Sequence, residues 1–331
     1  MSTSRHPISF DDVTAARERL RAHLPVSPAM SYPLLDELVG YGIRVWVKHE
    51  NHLPVNTFKV RNATSALTAL VARDPRAAQR GVAAATTGNH GQGLAWAGAR
   101  LGVPITICVP EGNNPEKNAS IRSYGARLIE SGATYDDAIA RCETLVAEEG
   151  LTRVHSTNDR EVLAGAGTMT AELLEQVPML DALIIALGGG SQCVGAITAR
   201  DALRPQLEVY AVNSDGATAQ HDAWRDGVPR RAQPVRTFAE GIATAATYDM
   251  TFEALRSGLT DFVLVSETAI AQSVRDLLRI THNIAEGAGA AGLAGLRLLA
   301  PRLAGKTVAI VLSGGNMDSA RLRVILDGGT P

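Results

Sequence analysis

A lysine beside an aromatic ring stands where a predicted loop meets a predicted helix. Phe58 and Lys59 follow the predicted strand 43–48 and a proline-broken loop, and they precede a helix-favouring run at 66–72. An amine near an apolar surface and a helix N-terminus is disfavoured in its charged form. Such a lysine can form a Schiff base with a carbonyl compound. Taken alone, the pair is better explained as a solvated lysine at a helix start, so the rest of the chain must decide.

Three glycines follow a predicted buried strand at 182–187 and precede a predicted helix at 194–203. Glycines allow backbone N–H groups to approach an anion, and a helix N-terminus favours negative charge. No Lys-Ser/Thr pair follows, so the loop is not a Walker A motif. We therefore predict a phosphate site, with a tight packing turn as the alternative, at Gly188, Gly189, Gly190, Ser191 and Gln192.

Two further strand ends carry polar residues, and ligands of open α/β sheets bind at the carboxyl ends of strands. After strand 307–312, the Ser313 hydroxyl could bond a ring nitrogen or cap a helix at 317–326. After strand 82–85, hydroxyl and N–H groups suit a carboxylate, unless a threonine simply caps the next helix. The residues of this second junction are Thr86, Thr87, Gly88, Asn89 and His90.

Composition limits the classes of function that the chain can have. The 331 residues carry a formal charge of −2, which offers no electrostatic footprint for nucleic acid or an anionic membrane. Cys108, Cys142 and Cys193 lie far apart and predict buried, reduced thiols rather than disulfides or a metal site. No secretory leader and no membrane-length apolar run is found. We expect a soluble cytoplasmic protein.

Strands and helices alternate along most of the chain, which predicts an α/β fold with two open, twisted parallel sheets. A first helix spans 10–24, capped by Asp11 or Asp12, and 213–248 is rich in loops. The other predicted strands are 105–109, 127–130, 207–212 and 262–265. The other predicted helices are 94–101, 117–124, 135–149, 167–176, 267–283 and 290–299. The Gly287–Gly292 segment matches GxGxxG but follows a helical stretch, so we interpret it as close helix packing.

Four stretches, in this order and spacing, resemble the fold-type-II pyridoxal-phosphate enzymes, most nearly the serine/threonine dehydratase and serine racemase group. The family's S-F-K-x-R-G-A is similar to residues 57–63, its S-G-N-H-x-Q-G/A to 87–93, and its tetraglycine loop to 188–191. Its S-G-G-N is present at 313–316, and its E-P-A/S-G-A is similar to 283–290. The resemblance covers about residues 15–320.

The resemblance implies a role for each matching residue. Lys59 would hold the cofactor covalently and remove the Cα proton, Phe58 would stack on the pyridine ring, and Asn89 would bond the 3-hydroxyl. Ser313 would face the ring nitrogen, and the glycine-rich loop would bind the phosphate. The substrate carboxylate would bind at the second junction, and we also expect substrate contacts at Gly241. We expect the side-chain pocket in loop 238–248, with contributions near Asn56 and 155–158.

The implied domain plan has a small domain, 81–158, inserted into a large domain formed by 1–80 and 159–331, with the cofactor in the cleft between them. The implied reaction is β-elimination from L-threonine or L-serine, giving a 2-oxo acid and ammonia. Asn56 and Asn62 replace small residues of the family. The racemase serine that acts on the opposite face is matched by Thr87, so its hydroxyl is the second catalytic candidate.

Several alternatives remain open. A racemase, or a dehydratase of a bulkier or more polar β-hydroxy amino acid, would use the same cofactor. A nicotinamide-dependent dehydrogenase and a non-catalytic binding protein are more distant alternatives. Asn213 and Ala219 stand at the family's acidic cation-ligand positions, so we predict no metal site. The expected partners are an amino-acid substrate and a second copy of the chain in a homodimer.

Overall fold

The computed structural model describes residues 6–331, which form two open sheets surrounded by helices. The strands are β1 (Ala29–Ser31), β2 (Arg44–His49), β3 (Val82–Ala85), β4 (Ile105–Val109), β5 (Arg127–Glu130), β6 (Thr152–Arg153), β7 (Ala182–Ala186), β8 (Glu208–Ser214), β9 (Asp261–Val265) and β10 (Thr307–Leu312). One sheet has the order β1-β2-β10-β7-β8-β9 and the other β5-β4-β3-β6. Every pairing is parallel except that of β1 with β2. The predicted α/β fold with two parallel sheets is confirmed.

Fourteen α-helices cover the sheets within the described residues. They are α1 (Phe10–Arg21), α2 (Pro33–Val39), α3 (Lys59–Arg73), α4 (Pro75–Arg80), α5 (Asn89–Leu101), α6 (Pro115–Ser123), α7 (Tyr135–Glu149), α8 (Arg160–Gln176), α9 (Ser191–Leu203), α10 (Ala219–Asp226), α11 (Asp249–Gly258), α12 (Glu267–Thr281), α13 (Gly287–Leu299) and α14 (Ser319–Leu326). None of these helices is long and apolar enough to cross a membrane.

The larger sheet is buried on both faces, which explains its continuous apolar strands. Side chains alternate between the faces along β7 and β10. Ile184 and Ile310 pack with Leu293 of α13, whereas Leu183 and Val311 join the layer formed by α8 and α9. Both layers are closed by apolar side chains, so the carboxyl ends of these strands are held in fixed register.

The GxGxxG segment lies in the first turns of α13, after a loop rather than a strand. A Cβ atom added at Gly289 would lie 2.4 Å from the carbonyl oxygen of Gly314, just beyond β10. A Cβ added at Gly295 would lie 2.3 Å from Val212. The interpretation as close helix packing is therefore confirmed, because only glycine lets the helix approach the strand end.

Some predicted boundaries and caps are wrong. Helix α1 ends at Arg21 and is capped by Ser9. The Ser9 hydroxyl accepts a hydrogen bond from the Asp12 N–H, and the Asp12 carboxylate accepts one from the Ser9 N–H. This is a reciprocal capping box, not a cap by Asp11 or Asp12. Helix α14 is capped by Asp318, so the alternative of Ser313 as its cap is wrong. The loop-rich region 213–248 contains α10.

Helix α5 begins at Asn89, five residues before the predicted start. Gly91 and Gly93 lower its intrinsic helix propensity, which misled the sequence prediction. The packing gives the reason for these glycines. A Cβ at Gly93 would lie 2.9 Å from the carbonyl oxygen of Lys59, so α5 crosses the start of α3 at backbone distance. All three cysteines are buried and free, as predicted.

Candidate active site

The start of α3 is fastened to the end of β10. The Phe58 N–H donates to the Ser313 carbonyl oxygen at 3.0 Å, and the Thr57 hydroxyl donates to the same oxygen at 3.2 Å. Thr57 also forms an isolated antiparallel bridge with Gly314. Residues 256 positions apart in the chain are thereby joined, and Lys59 comes to lie beside the turn that follows β10.

Lys59 occupies the environment that the sequence predicted for a reactive amine. Its Nζ donates to the Ser156 carbonyl oxygen at 3.3 Å and lies 5.0 Å from the centre of the Phe58 ring. Burial among protein atoms lowers the pKa of Lys59 to about 8, although the nearby Glu286 carboxylate opposes the shift. The residue as a whole is half-buried.

Asn89 belongs to a chain of side-chain amides and a carboxylate. Its Nδ2 donates to Oε1 of Glu286 at 2.6 Å, and its Oδ1 accepts from Nδ2 of Asn316 at 2.8 Å. Burial raises the pKa of Glu286, while Lys117 and Asn89 oppose the rise. Sequence reasoning gave Glu286 and Asn316 no role. The available signal was the motif similarity, because Glu286 lies in the stretch similar to E-P-A/S-G-A and Asn316 ends S-G-G-N.

The turn between β3 and α5 keeps its backbone donors available. Gly88 stands at the N-cap position, and no side chain of the described residues caps the helix. The Thr86 hydroxyl accepts only from the Gly88 N–H, at 3.4 Å, so the alternative of a threonine cap is wrong. Free N–H groups in the first turn of a helix can receive an anion, so the predicted carboxylate site stays a prediction that this turn allows. Thr87 is half-buried in this turn.

His90 is buried in the first turn of α5. Its Nε2 lies 3.4 Å from the Val154 carbonyl oxygen. Burial, reinforced by Lys59, lowers the pKa of His90 to about 3, so the ring is neutral near pH 7. Because the Val154 carbonyl oxygen only accepts, the single N–H of the neutral ring is on Nε2, and the backbone N–H of His90 is the group that can donate to a carboxylate.

The glycine-rich loop requires glycine at each of its three positions. Gly190 has φ +99°, a left-handed conformation that side chains disfavour. A Cβ at Gly188 would lie 2.5 Å from the Gly241 carbonyl oxygen, and one at Gly189 would lie 2.1 Å from the Thr157 hydroxyl. No side chain of the described residues caps α9, which begins at Ser191, so its first N–H groups are free for an anion. The loop is therefore tightly packed and still leaves these N–H groups free, and phosphate binding there stays a prediction.

The side chains around this loop differ in what they can contact. Gln192 points to Met169, with Nε2 3.5 Å from its sulfur, so only its backbone faces the loop. The Ser191 hydroxyl accepts from Nδ2 of Asn62 at 3.4 Å. Gly241 is exposed and touches the loop at Gly188.

A polar cavity of about 380 Å³ opens beside Asn316. Asn56, which has φ +52°, and Lys117 contribute to its wall. Lys117 is ion-paired with Glu240, and it lies against Gly88. The structure thus brings the three strand-end junctions and Lys59 into one region and adds Glu286, Asn316 and Lys117, which the sequence did not single out.

The sequence model of the "Pyridoxal-phosphate dependent enzyme" family matches residues 23–314, and the chain belongs to this family. A putative threonine dehydratase of Sinorhizobium fredii is 34% identical over 325 residues, covering 97% of this chain and 96% of the relative. An L-threo-3-hydroxyaspartate ammonia-lyase of Pseudomonas sp is 32% identical, covering 97% and 99%. The crystal structure of a threonine deaminase of T.th. is 33% identical, has a TM-score of 0.87, and is matched over 94% of this chain and 99% of that one.

These similarities define the class of enzyme first and its reaction second. The chain is a fold-type-II pyridoxal-phosphate enzyme of the serine/threonine dehydratase and serine racemase group, as predicted. It is a pyridoxal-phosphate-dependent ammonia-lyase that eliminates the β-substituent of hydroxy amino acids. The predicted cofactor and reaction class are confirmed, and the nicotinamide-dependent alternative is wrong.

Proposed function

We propose that the chain converts a β-hydroxy amino acid, with L-threonine and L-serine as reference substrates, to a 2-oxo acid and ammonia at Lys59. The observation that carries this proposal is an amine with a pKa of about 8 at the meeting point of two uncapped helix N-termini and the end of β10. A low pKa supplies the neutral amine that both covalent attachment and proton removal require.

The residues present fit pyridoxal phosphate. Bound there, the cofactor supplies an electron sink for the substrate's Cα. The N–H groups from Gly188 to Gln192 hold its phosphate, since the glycines leave room for an anion at the start of α9. Asn89, held by Glu286 and Asn316, presents its amide to the 3-hydroxyl. Ser313 would face the ring nitrogen, and Phe58 would cover the ring.

The substrate carboxylate binds the first turn of α5 through Thr86, Thr87, Gly88 and the backbone N–H of His90, with Gly241 closing the site. The support is the free set of backbone donors at Gly88 and beyond. Lys59 holds the proton taken from Cα. The Thr87 hydroxyl would deliver a proton to the opposite face, which would produce racemisation beside elimination. The added methyl group of a threonine disfavours this second route.

The remaining proposals concern architecture and location. We propose the division into a large domain (1–80 and 159–331) and a small inserted domain (81–158), a homodimer, and a cytoplasmic location. The support for the division is that β3 to β6, residues 82–153, form a sheet of their own.

The function is tested on the purified chain loaded with pyridoxal phosphate. Release of 2-oxo acid and ammonia from L-serine, L-threonine and threo-3-hydroxyaspartate is measured, and chiral inversion is followed in the same samples. We expect oxo acid and ammonia in equal amounts, with slower inversion. Inversion without oxo acid, or no product from any hydroxy amino acid, would overturn the proposal.

The pH dependence of cofactor attachment follows from the pKa of Lys59. A group with pKa about 8 is roughly one-tenth neutral at pH 7 and nine-tenths at pH 9. We therefore expect the rate at which the apoenzyme takes up pyridoxal phosphate, followed by absorbance, to rise about tenfold over this interval and then level off. An ordinary lysine would give a rise of about a hundredfold without levelling.

Glu286 provides the matched variant for this measurement. Its carboxylate raises the pKa of Lys59, so Glu286→Gln should move the levelling to lower pH. His90 and His155 also face Lys59, and both are neutral over the interval because burial lowers their pKa values. A rate that still climbs steadily above pH 9 in the wild type would contradict the lowered pKa.

Gly189 tests the phosphate cradle. The added methyl of Gly189→Ala would overlap the Thr157 side chain and displace the loop. Overpacking of this kind costs about 1–3 kcal/mol, so we expect the affinity for pyridoxal phosphate to fall about tenfold to a hundredfold. Equilibrium titration of the apoenzyme measures the change.

Gly292→Ala is the control for this substitution. Gly292 is buried in α13, yet the nearest atom to its added Cβ would lie at 3.5 Å, an ordinary contact. We expect unchanged cofactor affinity and equal or higher stability. Equal affinities for the two variants would show that the cofactor phosphate does not depend on the loop.

A further inference from the structure

Three ring side chains from distant parts of the chain meet beside the proposed carboxylate site. The Tyr135 hydroxyl, at the start of α7, donates to the Ala85 carbonyl oxygen at 3.0 Å, and Ala85 directly precedes Thr86. The rings of His155 and Tyr248 are in edge contact, with centroids 5.6 Å apart and planes at 72°. We call Tyr135, His155 and Tyr248 the ring cluster. The reaction steps above give it no role.

The ring cluster also adjoins the reactive amine. Ser156, the residue after His155, accepts the hydrogen bond from Nζ of Lys59 at 3.3 Å. Burial lowers the pKa of His155 to about 4, and Arg153 and Lys59 add to the shift. Burial also raises the pKa of Tyr135 to about 12, with a contribution from the neighbouring Tyr248. The cluster therefore adjoins both the carboxylate turn and the amine, the two groups between which the substrate would be held.

The cluster is electrically neutral near pH 7. His155 is uncharged, and both tyrosines keep their protons. Two cations act on the cluster: Arg153, whose guanidinium is ion-paired with Glu143, and Lys59, whose amine would hold the cofactor in the holoenzyme. A second carboxylate on the substrate would lose its hydration here without gaining an unpaired cation, which is unfavourable. An aromatic ring loses little hydration and gains edge and face contacts with other rings.

The three side chains still have surface to offer a ligand. Tyr135 is 41% exposed, and His155 and Tyr248 are half-buried. Tyr135 is held by a hydrogen bond and Tyr248 by its contact with His155, so the rings are positioned before a substrate arrives. Preorganised rings lose little conformational entropy on binding.

We propose that Tyr135, His155 and Tyr248 bind the side chain of an aromatic β-hydroxy amino acid of the 3-phenylserine type. This inference rests on the proposed function and names its substrate class. The Cα–H and Cβ–O bonds break, water leaves, and the released enamine is hydrolysed. The net reaction converts phenylserine into phenylpyruvate and ammonia, and needs no oxidant or reductant.

The test compares kcat/KM of the holoenzyme for threo-3-phenylserine, L-threonine and threo-3-hydroxyaspartate. We expect phenylserine to exceed L-threonine by about tenfold or more, the scale at which apolar contacts discriminate substrates. L-phenylalanine and L-2-aminobutyrate, which lack the leaving hydroxyl, are compared as competitive inhibitors. L-phenylalanine should have the lower inhibition constant by a similar factor. This second readout reports side-chain binding without elimination.

Variants locate the preference. Tyr248→Leu and Tyr135→Leu should lower the ratio of kcat/KM for phenylserine to that for L-threonine about tenfold, whereas Tyr248→Phe keeps the ring and should keep the ratio. Tyr41→Leu is the control, because Tyr41 is 59% exposed in the turn between α2 and β2. Tyr41→Leu should change kcat/KM neither for phenylserine nor for L-threonine.

Failure of the aromatic subsite and failure of the proposed elimination reaction give different results. Product from L-threonine with a phenylserine ratio below one, or a preference for threo-3-hydroxyaspartate, would overturn the aromatic subsite and leave the elimination reaction standing. A phenylserine preference that survives both leucine variants would also overturn the subsite. No product from any hydroxy amino acid would overturn the proposed function itself.

Discussion

Replacing Lys59 with alanine should lower kcat for 2-oxo acid release by about 10⁴-fold, the upper range for a lost general base. The variant loses both the covalent anchor and the acceptor of the Cα proton. The fold should persist, because the lysine amine makes a single long hydrogen bond, to Ser156, and no ion pair within the described residues. Steady-state kinetics and a thermal melt measure the two effects.

The identity of the anchor can be read directly, because the chain contains only four lysines: Lys48, Lys59, Lys117 and Lys306. Borohydride treatment of the holoenzyme followed by peptide mapping should label the peptide that contains Lys59. Lys48 is buried and ion-paired with Glu172. Lys117 and Lys306 are each ion-paired with a glutamate. Lys306→Ala is the control and should keep both the label and the activity. A label on another lysine would sink the assignment.

Replacing Arg61 with leucine should destabilise the chain by about 3–5 kcal/mol, the cost of breaking a buried ion pair. Arg61 is 1% exposed, and its guanidinium bonds Glu50 at 2.7 Å and Glu172 at 2.7 and 2.8 Å. Lys48 also contacts Glu172, at 3.2 Å. The charges of the two cations, Arg61 and Lys48, thus neutralise those of the two carboxylates. Removal of Arg61 leaves two buried carboxylates with one cation.

Chemical denaturation measures this loss, and an exposed ion pair supplies the comparison. Arg127 pairs with Glu149 at 2.9 Å, but both side chains are well exposed. Arg127→Ala should therefore change the stability by less than about 1 kcal/mol. If Arg61→Leu also costs less than about 1 kcal/mol, the buried cluster does not hold the fold together. Arg61 follows Lys59 by two residues in α3. The loss of stability in Arg61→Leu should therefore be accompanied by weaker retention of the cofactor.

Local chemistry made some features predictable. Strand β10 and helix α7 have the predicted bounds. A continuous apolar run marks β10, and a threonine before its first residue and a glycine after its last mark α7. The lowered pKa of Lys59 was predicted because Phe58 and the start of α3 are its neighbours in sequence. The three glycines predicted a tight turn for the same reason.

Other features depend on residues that are distant in the chain. The early start of α5 required the close crossing with α3, which overrides the poor helix propensity of its glycines. Glu286 became part of the site only when Asn89, 197 positions away, met its carboxylate. The ring cluster likewise joins Tyr135, His155 and Tyr248 from separate elements.

The sequence by itself predicted the α/β fold, from the alternation of strands and helices, and the cofactor class, from the resemblance of its short motifs to one family. Lys59 as the anchor stays a prediction. Only the tertiary structure decided which rings meet in the cluster that we propose for the substrate's β-substituent and how the charges near Lys59 and Arg61 are balanced. The physical reason is that packing sets burial and the distances between groups, and these in turn set pKa values and contacts between residues that no local pattern links.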